Sequence, residues 1–215
     1  MVEGDGSGTL AGHRYLWRPA AHPDSPVLLL LHGTGGDEHS LLPLAPMIAP
    51  DAAILSPRGN VLEQGAPRFF RRLAEGVFDV EDLHRRTEEL ADFIDAAASE
   101  HGFDRARVHA VGYSNGANVA ASLMLSRPEA LAGAVLLRAM LPFEPAHAPS
   151  LVGVGALLVS GRDDPIVPPP QVERLATLLR DACAEVELVW QPGGHQLGPA
   201  DVTRSREWIT ARLLA

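Results

Sequence analysis

Gly112-Tyr113-Ser114-Asn115-Gly116 stands between an apolar run, Val108 to Val111, and a stretch of small residues, Ala117 to Ala121. G-x-S-x-G at such a junction describes a strand-to-helix turn tight enough to need glycine on both sides, with the serine hydroxyl held out at the helix N-terminus. A lone hydroxyl is a weak nucleophile: it needs a base to take its proton, and the base needs an acid to fix its tautomer. Both appear further along, in the order Ser, Asp, His. Gly161-Arg162-Asp163-Asp164-Pro165-Ile166-Val167-Pro168 follows the apolar run Ala156 to Val159, and Gly193-Gly194-His195-Gln196 follows Val186 to Trp190. Asp164 is favoured over Asp163 as the acid, because a residue before proline is held extended whereas Asp163 has a turn or cap role open to it. Ser114, Asp164 and His195 would together carry acyl transfer, and that chemistry also needs N–H donors for a developing oxyanion. The first donor falls to Asn115, the residue after the nucleophile. The second falls to the glycine-rich loop His32-Gly33-Thr34-Gly35-Gly36, with Thr34 the expected residue. His32 itself reads as structural, since the base is already supplied. His32, Asp37 and His39 show no zinc-hydrolase spacing, so neither a metal nor another cofactor is expected.

These groups must be positioned by elements, and the elements alternate. Short, nearly continuous apolar runs, Val27 to Leu31, Ala52 to Leu55, Val108 to Val111, Ala134 to Leu137 and Ala156 to Val159, read as strands buried on both faces; Val186 to Trp190 is a sixth apolar run, outside that reading. Helical patterns lie between them, at Ser40 to Ile48, Val80 to Glu100, Gly116 to Ser126, Pro169 to Ala184 and Asp201 to Leu214. In the longest, Leu83, Leu90, Phe93, Ile94 and Ala97 share a face opposite Glu81, Arg85, Glu88, Glu89 and Asp92. Alternation of this kind predicts an α/β fold with right-handed crossovers and a doubly wound, mostly parallel sheet, whose reacting groups sit at the carboxyl ends of strands. Thr9 to Trp17 is expected to add one outer strand. No domain boundary is visible, so residues 1–215 are read as one domain. The segment Arg138 to Gly155 is too short and Pro-rich for a helical lid.

Composition removes several alternatives. All 18 basic residues are Arg and none is Lys, which excludes Schiff-base chemistry and the P-loop lysine. A net charge of −9 disfavours nucleic acid and anionic membranes as partners. The longest aliphatic run is far too short to span a bilayer, and the acidic start at Glu3 and Asp5 is unlike a signal peptide, so a cytoplasmic location is expected. The single cysteine, Cys183, is expected to pack inside the helix ending at Ala184, near Leu175, Leu178 and Leu179.

With these residues the chain resembles the α/β-hydrolase superfamily, specifically the phospholipase/carboxylesterase family that includes acyl-protein thioesterases. The resemblance rests on Leu31 to Glu38, the turn at Ser114, Asp164 to Pro168, and Gly194-His195-Gln196-Leu197. It implies Ser114, Asp164 and His195 as a triad with Thr34 and Asn115 as oxyanion donors, and it is compatible with a homodimer. Where the thioesterases carry a W-F-D-like motif, this chain reads Ser56-Pro57-Arg58-Gly59-Asn60 and Pro67-Arg68-Phe69-Phe70-Arg71-Arg72, closer to bacterial carboxylesterases associated with hydroquinone degradation. Phe69 and Phe70 are expected to offer an aromatic wall, and Arg71, or its neighbours Arg68 and Arg72, to meet a substrate carboxylate. The expected activity is hydrolysis of small soluble carboxylic esters. A thioesterase or lysophospholipase of the same family, or a non-catalytic ligand-binding module, are the alternatives.

Overall fold

Val27-Leu28-Leu29-Leu30-Leu31 has no polar face to offer water, so both of its faces must be covered. The protein meets that demand in a computed structural model that describes residues 6–213 apart from 21, 23 and 24. Glu3, Asp5 and Leu214, which entered the sequence expectations, lie outside the described residues. In chain order the elements are β1 (Gly6–Leu10), β2 (His13–Arg18), β3 (Val27–Leu31), α1 (Ala45–Ile48), β4 (Ala53–Pro57), β5 (Val61–Glu63), β6 (Ala66–Arg68), β7 (Arg72–Ala74) and β8 (Val77–Phe78). They continue with α2 (Val80–His101), β9 (Val108–Tyr113), α3 (Asn115–Ser126), β10 (Gly133–Leu137), β11 (Gly155–Gly161), α4 (Pro169–Asp181), β12 (Glu185–Gln191) and α5 (Pro199–Leu213).

The main sheet has the order β1-β2-β4-β3-β9-β10-β11-β12. Its last six members pair in parallel, while β1 and β2 are antiparallel additions at one edge. Alternation along β3 divides the core between two sides. Val27, Leu29 and Leu31 face a cluster that includes Leu83, Leu90 and Phe93 of α2, Ala117 and Val119 of α3, and Val172 and Leu175 of α4. Leu28 and Leu30 face Ile48 of α1 and Trp208 and Ile209 of α5. Helix α2 starts where the Asp79 side chain accepts from the Asp82 N–H and ends at Gly102 in the left-handed region, which a glycine enters without strain.

The expected doubly wound architecture is therefore present, with local differences. Thr9 to Trp17 is not one strand but the paired β1 and β2, because Ala11 and Gly12 both take positive φ and close a tight hairpin. Pro43 and Pro46 reduce the helix expected over Ser40 to Ile48 to a 3₁₀ turn, Leu42–Leu44, and the short α1. Helix α4 ends at Asp181 rather than Ala184: Cys183 takes φ +68°, its N–H donates to the Arg180 carbonyl at 2.8 Å, and Ala184 N–H donates to the Leu179 carbonyl at 3.0 Å. That pattern is a Schellman cap with cysteine in the place glycine usually takes, and it leaves Cys183 exposed rather than packed. Residues 139–154, between β10 and β11, hold no helix or strand, so no lid arises there. Among the described residues no helix is long and apolar enough to cross a membrane.

Candidate active site

Strand β9 delivers Ser114 into the turn that the sequence pattern describes. Ser114 sits at φ +52°, ψ −113°, a conformation costly for any residue with a Cβ. The turn is held because Ser114 N–H donates to the Leu137 carbonyl at 2.9 Å and Asn118 N–H to the Ser114 carbonyl at 2.9 Å. The two glycines are required by space: a Cβ at Gly112 would lie 2.6 Å from the Gly116 carbonyl oxygen, and one at Gly116 would collide with the Leu31 carbonyl.

The three separated residues meet at this turn. Ser114 Oγ–H donates to His195 Nε2 at 2.9 Å, and His195 Nδ1–H donates to Asp164 Oδ2 at 2.8 Å. The other carboxylate oxygen, Asp164 Oδ1, accepts from the N–H groups of Ile166 at 2.8 Å and Val167 at 3.2 Å. A side chain so held cannot swing, and it is fully buried. Asp163 N–H donates to the Gly193 carbonyl at 3.0 Å, and the residue is exposed. The geometry thus joins Asp164, and not Asp163, to the imidazole. Tyr113, its hydroxyl donating to the His195 carbonyl at 3.1 Å and its ring 5.5 Å from the imidazole, adds a wall beside it.

Arg138 was not singled out by the sequence, yet it is bound to both neighbours of His195. Its Nε donates to the Gly194 carbonyl at 3.0 Å and its Nη2 to the Gln196 carbonyl at 3.0 Å. Nη1 and Nη2 also form a two-pronged pair with Asp201, each at 2.9 Å, and Asp201 in turn accepts from Gly198 N–H at 2.7 Å. Arginine and aspartate are both buried, so the charge is matched in place and the histidine loop is fastened to the sheet and to α5. The signal that could have found it is position: Arg138 directly follows β10 at the same sheet edge as the other site residues.

The expected oxyanion donors, Thr34 and Asn115, line the same cavity as Ser114 and His195. Asn115 opens α3, so its N–H has no partner within the helix. Its side-chain Oδ1 accepts from Phe69 N–H at 2.7 Å, and Thr34 Oγ1 accepts from Arg68 Nη1 at 2.6 Å. The loop behind Thr34 is fixed by His32, whose Nδ1–H donates to the Gly33 carbonyl at 2.7 Å while Nε2 accepts from Gly59 N–H at 2.9 Å. Burial lowers the His32 pKa, consistent with the neutral ring that this bonding needs. Glu38, fully buried, pairs with Arg14 and Arg58; burial opposes its charge, but the arginines hold its pKa below the usual range. Asp37 accepts from His39 N–H and the Ser40 hydroxyl, so it closes a turn. Among the described residues no group of three His, Cys, Asp or Glu side chains is placed to hold a metal ion.

Three expected contacts are not made. Phe69 and Phe70 are 2% and 0% exposed and belong to the core, Phe69 against His32 and Phe70 edge-on to Phe78. Neither lines the cavity. Arg71 turns to the start of α2, where it pairs with Asp79 at 2.8 Å and lies 3.7 Å from Asp82. The physical reason is the backbone of 58–79, which folds into two small hairpins, β5–β6 and β7–β8, and so tucks the aromatics inward while presenting Arg68, Arg72, Glu75, Gly76 and Phe78 to the cavity. That cavity encloses about 290 Å³ and is walled elsewhere by Tyr113, Asn118, Met140, Ile166 and Val167.

Comparison with known proteins bears on the family and the fold. Residues 18–212 match the family model described as Phospholipase/Carboxylesterase. A Bacillus subtilis (strain 168) protein named as a hydrolase, MhqD, is 52% identical over 182 residues, spanning 85% of this chain and 91% of that protein. Among solved structures, a Bacillus cereus carboxylesterase superposes with a TM-score of 0.91 at 48% identity, covering 93% of this chain and 94% of the other. YahD, solved with malic acid, superposes with a TM-score of 0.88 at 34% identity, covering 93% and 99%. A sheet of this order and a match over nearly the whole length leave one assignment: the chain is an α/β-hydrolase fold protein and belongs to the phospholipase/carboxylesterase family.

Proposed function

We propose that the protein is a serine carboxylesterase acting on small soluble esters through an acyl-enzyme, without a metal or other cofactor. The observation that carries this reading is the continuous Ser114–His195–Asp164 hydrogen-bond chain, 2.9 and 2.8 Å, on a strained turn facing a cavity. His195 Nε2 takes the Ser114 proton as Oγ attacks the ester carbonyl. Asp164 keeps the proton on Nδ1 and stabilises the imidazolium that forms. The N–H groups of Asn115 and Thr34 receive the developing oxyanion. His195 then returns the proton to the departing alcohol, and a water activated by the same imidazole releases the acid and regenerates Ser114. The small cavity supports small esters, and malic acid, with which YahD was solved, is a ligand of that modest size. A cytoplasmic location and one domain over the full chain belong to the same reading.

Labelling by a fluorophosphonate probe tests it. The wild type should be labelled and should hydrolyse short esters. Ser114→Ala should fold, resist labelling and lose activity by roughly 10³- to 10⁶-fold. Labelling or most of the esterase activity surviving in Ser114→Ala would overturn the assignment.

A further inference from the structure

Arg68 and Arg72 share one carboxylate. Arg72 Nε lies 2.9 Å from Glu63 Oε1 and its Nη2 2.8 Å, while Arg68 Nε lies 3.4 Å from Glu63 Oε2. Two guanidinium charges against one carboxylate leave one positive charge over, in a chain whose net charge is −9. Both arginines line the cavity that holds Ser114. Of the other charged residues on that lining, Arg138 is neutralised by Asp201, and Glu75 is exposed in the turn between β7 and β8, where water screens it.

Arg68 is the more telling of the pair. Its side chain is 3% exposed. Nε donates to the Phe70 carbonyl at 3.1 Å and Nη1 to Thr34 Oγ1 at 2.6 Å, which fixes the guanidinium beside the oxyanion loop. The hydrogen bonds of the guanidinium to described residues are made by Nε and Nη1, which leaves Nη2 without one, and Arg68 lines the cavity. Arg72 likewise keeps Nη1 unclaimed. Burial, and then the charge of Arg72, lower the Arg68 pKa, which marks a cation incompletely compensated by its surroundings. A desolvated guanidinium with a spare N–H gains most from an ionised, planar acceptor. Because one positive charge is left over, a carboxylate matches it, whereas a phosphate monoester would bring a second negative charge.

We infer that Arg68 and Arg72 form an anion subsite, and that the preferred substrates are esters carrying one free carboxylate near the scissile bond. This rests on the serine-esterase reading above and names its substrate class. Arg68 also holds Thr34, so its loss would slow every ester; the informative quantity is the preference for an anionic ester over its neutral amide analogue.

Two matched pairs test the subsite on either side of the scissile bond: monoethyl succinate against ethyl succinamate, and 4-acetoxybenzoate against 4-acetoxybenzamide. At least one pair should show a preference in kcat/KM of about 10- to 100-fold for the carboxylate, the range of a charge-assisted hydrogen bond. Arg72→Gln, at a half-buried position, and Arg68→Gln should each cut that preference to within a few-fold of unity. Equal rates for both pairs in the wild type, or a preference that survives both substitutions, would overturn the subsite. Calorimetric binding of the same pairs to Ser114→Ala separates the two readings. Tighter binding of the carboxylates there upholds the subsite even if Ser114 proves not to be the nucleophile, and equal binding rejects it even if Ser114 is.

Discussion

Part of the cavity lining comes from strand-end turns and part from two hairpins, and they are built by different physics. The turns carrying Ser114, Arg138, Ile166 and His195 continue parallel strands of the main sheet, the first three of them buried, and backbone and guanidinium hydrogen bonds tie each to the next. The hairpins β5–β6 and β7–β8 are only two or three residues a side, held to the body by Phe69, Phe70 and the Arg71–Asp79 pair and to each other by the Arg72–Glu63 pair, with Leu62, Leu73 and Val77 exposed. Short isolated hairpins are marginal by themselves. The difference teaches that the groups proposed to react stand on the part that cannot yield, while the part that can be rebuilt at low cost lines the rest of the cavity.

The sharpest way to break this contrast is at the buried carboxylate. Asp164→Asn keeps the shape but removes the charge and permits the wrong imidazole tautomer, so kcat should fall by roughly 10²- to 10⁴-fold, while Asp163→Asn should cost less than about tenfold. Steady-state kinetics on one neutral ester decide it, and the reverse order would mean that the wrong acid has been assigned. Next comes the fastening of the histidine loop. Arg138→Gln should lower kcat by about 10- to 100-fold with KM little changed, because a misplacement of about 1 Å is enough for such a loss. Thermal unfolding should also come at lower temperature, since Asp201 is left buried and unpaired. An unchanged kcat would show that the loop holds itself.

On the hairpin side, Phe70→Ala should destabilise by about 3–5 kcal/mol, as expected of a fully buried aromatic, and should lower turnover of all esters alike. A change in the ranking of aryl over alkyl esters would return Phe70 to the substrate wall. The smallest effect is expected far from the cleft, at the cap of α4. Cys183→Gly should stabilise by roughly 0.5–1 kcal/mol with activity unaltered, because glycine takes φ +68° without strain. Denaturant titration with a parallel esterase assay reads both.

How much of this could be read from the residues follows the same division. The strand-end residues were legible because continuous apolar runs mark buried parallel strands, and whatever follows such a run must emerge at one edge of the sheet. Asp164 was separable from Asp163 because Pro165 restrains it. The places of Phe69, Phe70 and Arg71 do not follow from the sequence, because the direction of a side chain beside a short hairpin depends on register and on the body beneath it, and neither leaves a period in the sequence. Arg138 is illegible for a related reason: an arginine after a strand reads as a solvated charge, and its partner Asp201 lies far along the chain. The turn at Cys183 was hidden because helix periodicity says where a face is buried, not where the last turn closes.

Ser114 and Cys183 share a positive φ, but selection can treat them differently. At φ +52°, ψ −113°, glycine would be at ease, since that point mirrors an ordinary extended conformation. Drift under pressure for folding alone would therefore carry position 114 toward glycine and away from chemistry. The hydroxyl stands where it does against the thermodynamic preference of its own backbone, so under the proposed function a lineage that no longer needed turnover would have an easy path to a sturdier, silent protein.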